Sequence, residues 1–223
     1  MTEKSHRVPK NRSTIAVAPE ASVDIPARQP AKTVIDATTA QIQQFFARQQ
    51  KTVVTFVGYS GAGYNDQAGM LGIADRLLDG FDPSQVLVNI GATPDGIGAI
   101  YRLAKQRGFT TTGIVSTQAK KYQAELSDCV DHVFYVADDS WGGFGDDGVT
   151  LSPTSTAMVG NSDLLVGIGG GEVARDELIA ARRQGRQVRY YPADMDHDKA
   201  RAKARKQNLP EPTSFASAAD GIL

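Results

Sequence analysis

The sequence has little of several things, and each scarcity excludes a class of protein. A single cysteine, Cys129, allows no internal disulfide and excludes a four-cysteine metal site. No window approaches the roughly 20 apolar residues of a membrane span, and the first residues lack the apolar core of a signal peptide. The 24 basic residues nearly balance the 25 acidic ones, so bulk charge favours neither nucleic acid nor a membrane surface as a partner. We therefore expect a soluble, cytoplasmic protein that holds its ligands locally.

The sequence has a start without a pattern of apolar residues, followed by a long stretch in which such a pattern is present. Residues 1–36 are rich in Pro, Ala, Lys, Arg and Ser and have few large apolar groups, which predicts a disordered extension. Residues 37–51 place apolar side chains at helical spacing behind a Thr cap, which predicts an N-terminal helix. The remaining residues, 52–223, suffice for one main domain that includes a charged C-terminal helix ended by Pro210.

From residue 52 onward, short β-rich runs alternate with turns and helical stretches. This alternation predicts a Rossmann-like three-layer α/β sandwich with a mostly parallel sheet of about six strands. The runs are 52–58, 85–91, 110–116, 131–137, 163–169 and 187–193. Helices are expected between them at 66–78, 96–107, 118–126, 155–159 and 173–184. In such sheets ligands bind at the carboxyl ends of the strands, so the turns after the runs are the informative positions.

Three of these turns are rich in glycine and lead from a strand into a helix. They read GYSGAGYND, NIGATPDGIGA and GIGGGEVARDE. Glycines let main-chain N–H groups approach an anion closely, and the following helix offers unpaired amides and the positive end of its dipole. We predict that a flat phosphorylated ligand, a nucleotide or nucleoside derivative, lies across the turns; turns that need glycine only for its φ angles are the alternative. The expected contacts are Gly58, Tyr59, Ser60, Gly61, Gly63, Gly91, Thr93, Gly96, Gly169, Gly170, Gly171, Glu172 and Arg175.

Two familiar phosphate-binding motifs are missing. The dinucleotide fingerprint needs G-x-G-x-x-G and an acidic residue about 20 positions on. Here the first turn is G-x-x-G-x-G, and the second run ends in Asn89, Ile90 and Gly91. No Gly-Lys-Ser/Thr tripeptide occurs, so the phosphate loop of nucleotide triphosphatases is absent as well. These differences argue against an NAD dehydrogenase, a kinase and an ATPase.

Two longer blocks carry a family resemblance. GATPDGIGAIYRLAKQRGFTTTGIVS and SDLLVGIGGGEVARDELIAARRQGRQV resemble the two glycine-rich blocks of the LONELY GUY phosphoribohydrolases and their wider SLOG superfamily of Rossmann-like nucleotide-binding proteins. The similarity spans roughly residues 53–194. The family's second block reads P-G-G-x-G-T-x-x-E, and aligning the glycines places Glu177 at its glutamate. The resemblance therefore implies Glu177 as a catalytic residue acting on nucleoside monophosphates, and it implies a homodimer or a higher homo-oligomer.

The sequence departs from the LONELY GUY pattern at the residues that grip phosphate. The family's G-T is replaced by Val173 and Ala174, and the segment that should carry Arg-Lys reads SPTSTAMVGNSD, with no basic residue. Arg175, at a helix start, is a candidate substitute. A reaction that develops positive charge on ribose needs both a carboxylate and a cationic grip on the phosphate. We therefore expect a nucleotide-binding or sensing protein, with phosphoribohydrolase activity through Glu177 as the alternative.

The segment DDSWGGFGDDG follows the fourth run and carries the only tryptophan. Trp141 and Phe144 on this loop suit a stacking lid over a base, and packing of both rings into the core is the alternative. The loop's four aspartates suit Mg²⁺ bound together with a phosphate, although solvated loop acids explain them better. We therefore predict no metal site, and Mg²⁺ bound with a phosphate is the alternative.

Two further hypotheses, a hydrolase and a metal site, concern Ser60 and the segment ADMDHDKAR. GYSGA matches a variant nucleophile elbow with Ser60 as nucleophile, and Asp194 and His197 follow in the order of a hydrolase triad. The motif's last glycine is Ala62, however, which leaves a serine hydrolase as a weaker alternative. Helix capping explains the acids around His197 better than a metal site does. A structural subunit whose glycines serve only packing is the remaining hypothesis.

Overall fold

The computed structural model describes residues 32–223, which form a parallel seven-stranded sheet between two layers of helices. The strands are β1 (Thr33–Asp36), β2 (Thr52–Gly58), β3 (Val86–Ile90), β4 (Thr110–Ser116), β5 (His132–Val136), β6 (Leu164–Ile168) and β7 (Gln187–Tyr191). The helices are α1 (Thr39–Gln49), α2 (Gln67–Asp79), α3 (Ile100–Gln106), α4 (Gln118–Lys121), α5 (Pro153–Gly160), α6 (Glu172–Arg183) and α7 (His197–Lys206). The predicted Rossmann-like α/β architecture is confirmed.

The strand order across the sheet is β1-β5-β4-β3-β2-β6-β7, and all neighbouring strands are parallel. After β2 the chain builds outward through β3, β4 and β5, and then crosses to β6 on the other side of β2. The loops after β2 and β6 therefore leave the sheet in opposite directions. Such a reversal of strand order opens a crevice at the carboxyl edge of the sheet.

The sheet is covered on both faces, as a parallel sheet requires. On one face, α2 and α3 pack over apolar strand side chains that include Phe56 and Val88. On the other face, α1 and α5 cover a cluster around Phe134, and α6 covers a cluster around Leu165. Every residue of β3 and β6 is buried. Within residues 32–223, no helix combines the length and the apolar character that crossing a membrane requires.

Strand β1 corrects the boundary of the predicted N-terminal extension. Thr33–Asp36 pairs in parallel with β5, from the Thr33–His132 pair to the Asp36–Tyr135 pair. All four of its residues are exposed. A strand this short at a sheet edge shows no buried alternation, and β5 supplies the hydrogen bonds that define it, so the local sequence carried no signal. Residues 1–31 of the predicted extension lie outside the described residues.

Two predicted helices differ in extent from the observed ones. The stretch 96–107 is divided into a 3-10 turn over Gly96–Ala99 and α3. The stretch predicted as 118–126 is helical only over Gln118–Lys121. Gln123, just after this helix, has a positive φ of 52°, which an α-helix does not accommodate.

Candidate functional site

A cavity of about 800 Å³ opens at the carboxyl edge of the sheet. The loops after β2 and β3 line it through residues 58–62, 91 and 93–95, and the start of α6 lines it through residues 171–174. Residues 114–116 of β4 and the first turns of α5 also contribute to its wall. The cavity thus lies where the strand order reverses, and its volume is in the range of small-molecule sites in general.

The structure brings most of the predicted site residues together on this wall, and their contact with a ligand stays a prediction. On the wall lie Gly58, Tyr59, Ser60, Gly61, Gly91, Thr93, Trp141, Gly171, Glu172 and Glu177. The predicted residues that do not line the cavity are Gly63, Gly96, Gly169, Gly170 and Arg175. The predicted set therefore divides into wall residues and residues that support the wall from behind.

Gly169 and Gly170 are required by the protein's own packing. Both have positive φ angles, 54° and 120°. A Cβ on Gly169 would lie 2.6 Å from the carbonyl oxygen of Ala193, and one on Gly170 would lie 2.6 Å from the Cβ of Ala174. The carbonyl of Gly170 accepts a hydrogen bond from the N–H of Ala218 at 3.0 Å. The expectation that a ligand demands these two glycines is therefore replaced by a structural reason.

Gly171, the third glycine of the run, is different. An added Cβ there would meet no other atom within 4 Å. Gly171 is the N-cap of α6 and has no side-chain cap, and the N–H groups of Glu172 and Val173 have no acceptor within residues 32–223. These amides and the positive end of the α6 dipole open onto the cavity, which is the arrangement that binds anions.

The ionisable side chains on the wall are all acidic. They are the carboxyl groups of Asp95, Glu125, Glu172 and Glu177, and the phenol of Tyr59. No Lys, Arg or His of the described part of the chain lines the cavity. Arg175, the predicted substitute for the family's arginine, instead donates from Nε and Nη2 to Oδ1 of Asp176, at 2.9 and 2.8 Å. An anionic group in the cavity would therefore be held by backbone amides, without a cationic side chain.

Glu177 is buried in the wall, with 4% of its surface exposed. Its Oε1 accepts a hydrogen bond from the Ser155 hydroxyl at 2.7 Å, and the oxygen of that hydroxyl accepts one from the N–H of Gly143 at 2.8 Å. Burial raises the pKa of Glu177 to about 7, the bond from Ser155 opposes this shift, and the charge of Asp176 adds to it. A carboxyl group with this pKa is able to give or take a proton at neutral pH.

The loop that carries Trp141 is tied down by hydrogen bonds on both sides. Oδ1 of Asp138 accepts from the N–H and the hydroxyl of Ser140, both at 2.8 Å, and its Oδ2 accepts from the N–H of Thr154 at 2.9 Å. Further along, the N–H of Phe144 donates to Oδ2 of Asp176 at 2.9 Å. These bonds connect the loop to α5 and α6, so the predicted lid is an anchored part of the wall.

The two aromatic rings of this loop have different surroundings. Trp141 is 52% exposed at the cavity and stacks against Tyr122, with the ring centroids 5.8 Å apart. Phe144 is half-buried, with the guanidinium of Arg183 5.6 Å from its ring centroid. Packing into the core, the alternative for both rings, therefore does not describe Trp141. Its exposed face is available to a flat ligand.

The structure assembles neither a metal site nor the hydrolase triad among the described residues. Within residues 32–223, no group of three or more His, Cys, Asp and Glu side chains could hold a metal ion. His197 pairs with Asp194 at 3.2 Å and stacks on Phe215. The hydroxyl of Ser60 makes no hydrogen bond with a histidine among the described residues. The serine, aspartate and histidine of the proposed triad therefore do not form a hydrogen-bonded chain.

Thr154 and Ser155, in the first turn of α5, were not predicted as site residues. The sequence predicts a helix over 155–159 in this segment, and the segment carries no basic side chain. A signal was present, because Ser152 followed by Pro153 is typical of a helix start, and the structure shows Ser152 as the N-cap. In a parallel sheet covered by helices, the helix that follows a strand starts near that strand's carboxyl end, so its first-turn side chains are candidates for the site.

Comparisons with known proteins find structures of limited similarity and no family. No protein-family model matches the chain, and no curated protein matches it. A molybdenum cofactor carrier protein from Chlamydomonas reinhardtii has a similar structure, with 18% identity over 63% of this chain and 76% of that chain, at a TM-score of 0.46. The molybdenum cofactor binding protein from Rippkaea orientalis is similar over 71% of this chain and 85% of that chain, with 19% identity and a TM-score of 0.45.

A third similar structure is that of DNA processing protein A from Streptococcus pneumoniae, with 14% identity over 64% of this chain and 50% of that chain, at a TM-score of 0.43. The strand order and the parallel pairing place this chain among doubly wound α/β proteins. At the level of the fold, it is a Rossmann-like α/β protein, as the pattern of its sequence predicts.

Proposed function

We propose that this protein binds a nucleotide-like ligand, a flat heterocycle with a single phosphate, in the cavity at the carboxyl edge of the sheet. The observation that carries the proposal is the open start of α6. There, the unpaired amides of Glu172 and Val173 lie at a cavity of about 800 Å³ whose wall also carries the exposed ring of Trp141. Amides of this kind bind phosphate, and an aromatic face stacks on any flat base.

The charge of the wall favours one phosphate over several. Each further phosphate brings negative charge toward Glu172 and the other wall carboxylates, and no cationic side chain of residues 32–223 on the wall compensates. Two unit charges 4 Å apart interact by about 4 kcal/mol at an effective dielectric constant of 20. We therefore expect nucleoside monophosphates to bind more tightly than triphosphates when no divalent cation is present.

A thermal-shift panel tests this proposal directly. The panel contains AMP, GMP, CMP, UMP and ATP, together with the molybdenum cofactor, for which two proteins of similar structure are named. A ligand at 100 times its Kd adds roughly 2.7 kcal/mol of stability. For a chain of this size that raises Tm by roughly 5–10 °C, and we expect a monophosphate to give such a shift. An unchanged Tm with every member of the panel would contradict the proposal.

Trp141 supplies a matched pair of variants for the same measurement. Trp141→Ala removes the stacking face and should weaken monophosphate binding about tenfold. Tyr122→Ala removes the ring that stacks on Trp141 from outside the cavity, and it should weaken binding less than Trp141→Ala does.

Phosphoribohydrolase activity is the second candidate function, and the placement of Glu177 favours it. This carboxyl group lies on the cavity wall, and its pKa of about 7 suits proton transfer. The lack of a cationic side chain on the described wall that could bind the phosphate disfavours this activity. We expect incubation of the protein with nucleoside monophosphates to release no free base, as measured by chromatography. Base release that Glu177→Gln abolishes would overturn the view of a protein that only binds.

A further inference from the structure

Thr154 has a buried hydroxyl that the protein leaves without a partner. The residue follows Pro153 in the first turn of α5, lines the cavity and is 4% exposed. Among the described residues, its Oγ1 and the hydroxyl of Tyr59 are the buried side-chain atoms without a hydrogen bond. Tyr59 also lines the cavity, but its hydroxyl lies close to the backbone of Gly170 and the side chain of Ser217, two residues that do not line it. Buried polar groups in folded proteins are nearly always paired, so an unpaired one on a cavity wall indicates a partner that enters the cavity.

The polar groups around Thr154 are already engaged with each other. Its own N–H donates to Oδ2 of Asp138 at 2.9 Å, and Oδ1 of that carboxylate accepts twice from Ser140. The next side chain, Ser155, both accepts from Gly143 and donates to Glu177. Burial alone would raise the pKa of Asp138, but its contacts with Ser140 and with both the backbone and the side chain of Thr154 lower it. The Thr154 hydroxyl thus lies near this carboxylate without the geometry of a hydrogen bond.

The backbone holds the Thr154 hydroxyl in place. Pro153 fixes φ at the first position of α5, and the Ser152 hydroxyl caps the turn by accepting from the N–H of Ser155. The branched Cβ of threonine restricts its side chain to few rotamers. The backbone and the rotamer preference therefore confine the hydroxyl to a few positions at the cavity wall.

We propose that Thr154 is a specificity-determining residue whose hydroxyl hydrogen-bonds a sugar hydroxyl of the nucleotide-like ligand. This inference rests on the proposed function. A threonine hydroxyl both donates and accepts, as a sugar hydroxyl does. The carboxylate of Asp138 beside it and the carboxyl of Glu177, which the next residue contacts, disfavour an anionic partner such as phosphate. A neutral group that can donate fits this part of the wall.

Calorimetric titration with AMP tests the role of Thr154. Thr154→Val keeps the shape and removes only the hydroxyl, so its Kd for AMP should rise about tenfold. Thr154→Ser should restore the affinity to within about twofold. Thr156→Val, an exposed position two residues along α5, should change nothing. Because the wild-type hydroxyl is buried and unpaired, the Tm of Thr154→Val without ligand should equal or exceed that of the wild type.

Sugar analogues identify the partner of the hydroxyl. Either 2′-deoxyAMP or 3′-deoxyAMP should bind the wild type about tenfold more weakly than AMP and lose nothing further in Thr154→Val. If Thr154→Val weakened the binding of both analogues as much as it weakens the binding of AMP, a sugar hydroxyl would not be the partner. A lower Tm without ligand, or unchanged AMP affinity, would show that the hydroxyl serves Asp138 instead. Wild-type protein that binds no member of the panel contradicts the proposed function itself, which distinguishes the two failures.

Discussion

Replacing Gly170 with alanine is expected to lower the free energy of unfolding by about 3 kcal/mol. The φ of Gly170 is 120°, which L-residues rarely adopt, and the new methyl group would lie 2.6 Å from the Cβ of Ala174 and 3.2 Å from the Cα of Gly58. These neighbours belong to α6 and β2 and cannot move aside independently. Urea denaturation followed by circular dichroism measures the loss.

Gly171→Ala is the matched control one residue further on. Gly171 has an ordinary φ of −85° and open space around it, so alanine should leave the stability nearly unchanged. The added methyl group should instead hinder a phosphate from reaching the amides at the start of α6, which raises the Kd for AMP. The two variants thus separate packing from binding. Stability lost in Gly171→Ala, or AMP affinity lost in the folded fraction of Gly170→Ala, would contradict this division.

Glu177→Gln is expected to stabilise the protein at alkaline pH by up to about 3 kcal/mol. The pKa of Glu177 in the folded protein is about 7, above its ordinary value of 4.5, so the folded protein binds this proton more tightly than the unfolded chain does. The stability from the protonated carboxyl is fully present below about pH 4.5 and is lost as the pH rises through about 7. Glutamine stays neutral throughout and still accepts the bond from Ser155.

Denaturation at pH 4.5 and pH 8.5 measures this difference between the wild type and Glu177→Gln. The two proteins should have similar stability at the lower pH, and the variant should be more stable at the higher one. Glu172→Gln, at an exposed wall position, should follow the wild type at both values. A variant that is no more stable than the wild type at pH 8.5 would show that Glu177 is not held in an environment that disfavours its charge. Stability lost through the ionisation of a buried carboxyl group is typical of carboxylates that have a function.

The local sequence was enough to locate the six main strands. Each run over 52–58, 85–91, 110–116, 131–137, 163–169 and 187–193 contains one observed strand. Strands buried on both faces must be apolar throughout, and glycine or polar turns bound them, so the pattern is local. Strand β1 was not predicted because its pairing partner, β5, lies about 100 residues away in the chain. The predicted homodimer stays a prediction.

The candidate site was only partly accessible from the sequence. The glycine turns marked the correct edge of the sheet, and Trp141 and Glu177 both lie on the cavity wall. The sequence did not show that Arg175 turns to Asp176, or that Ser155 connects Glu177 to the loop that carries Trp141. The direction of a side chain depends on its three-dimensional neighbours, and no spacing along the chain encodes it.

By itself, the sequence determined the alternation of strands and helices, the parallel sheet and the edge at which glycine turns cluster, because these follow from periodicity and from the conformational freedom of glycine. Only the tertiary structure decided which glycines serve the fold and which leave backbone amides open. It also decided that the wall of the cavity is acidic and that the Thr154 hydroxyl is unpaired. These properties arise from contacts between distant segments, which exist only once β2, α5 and α6 have packed around the cavity.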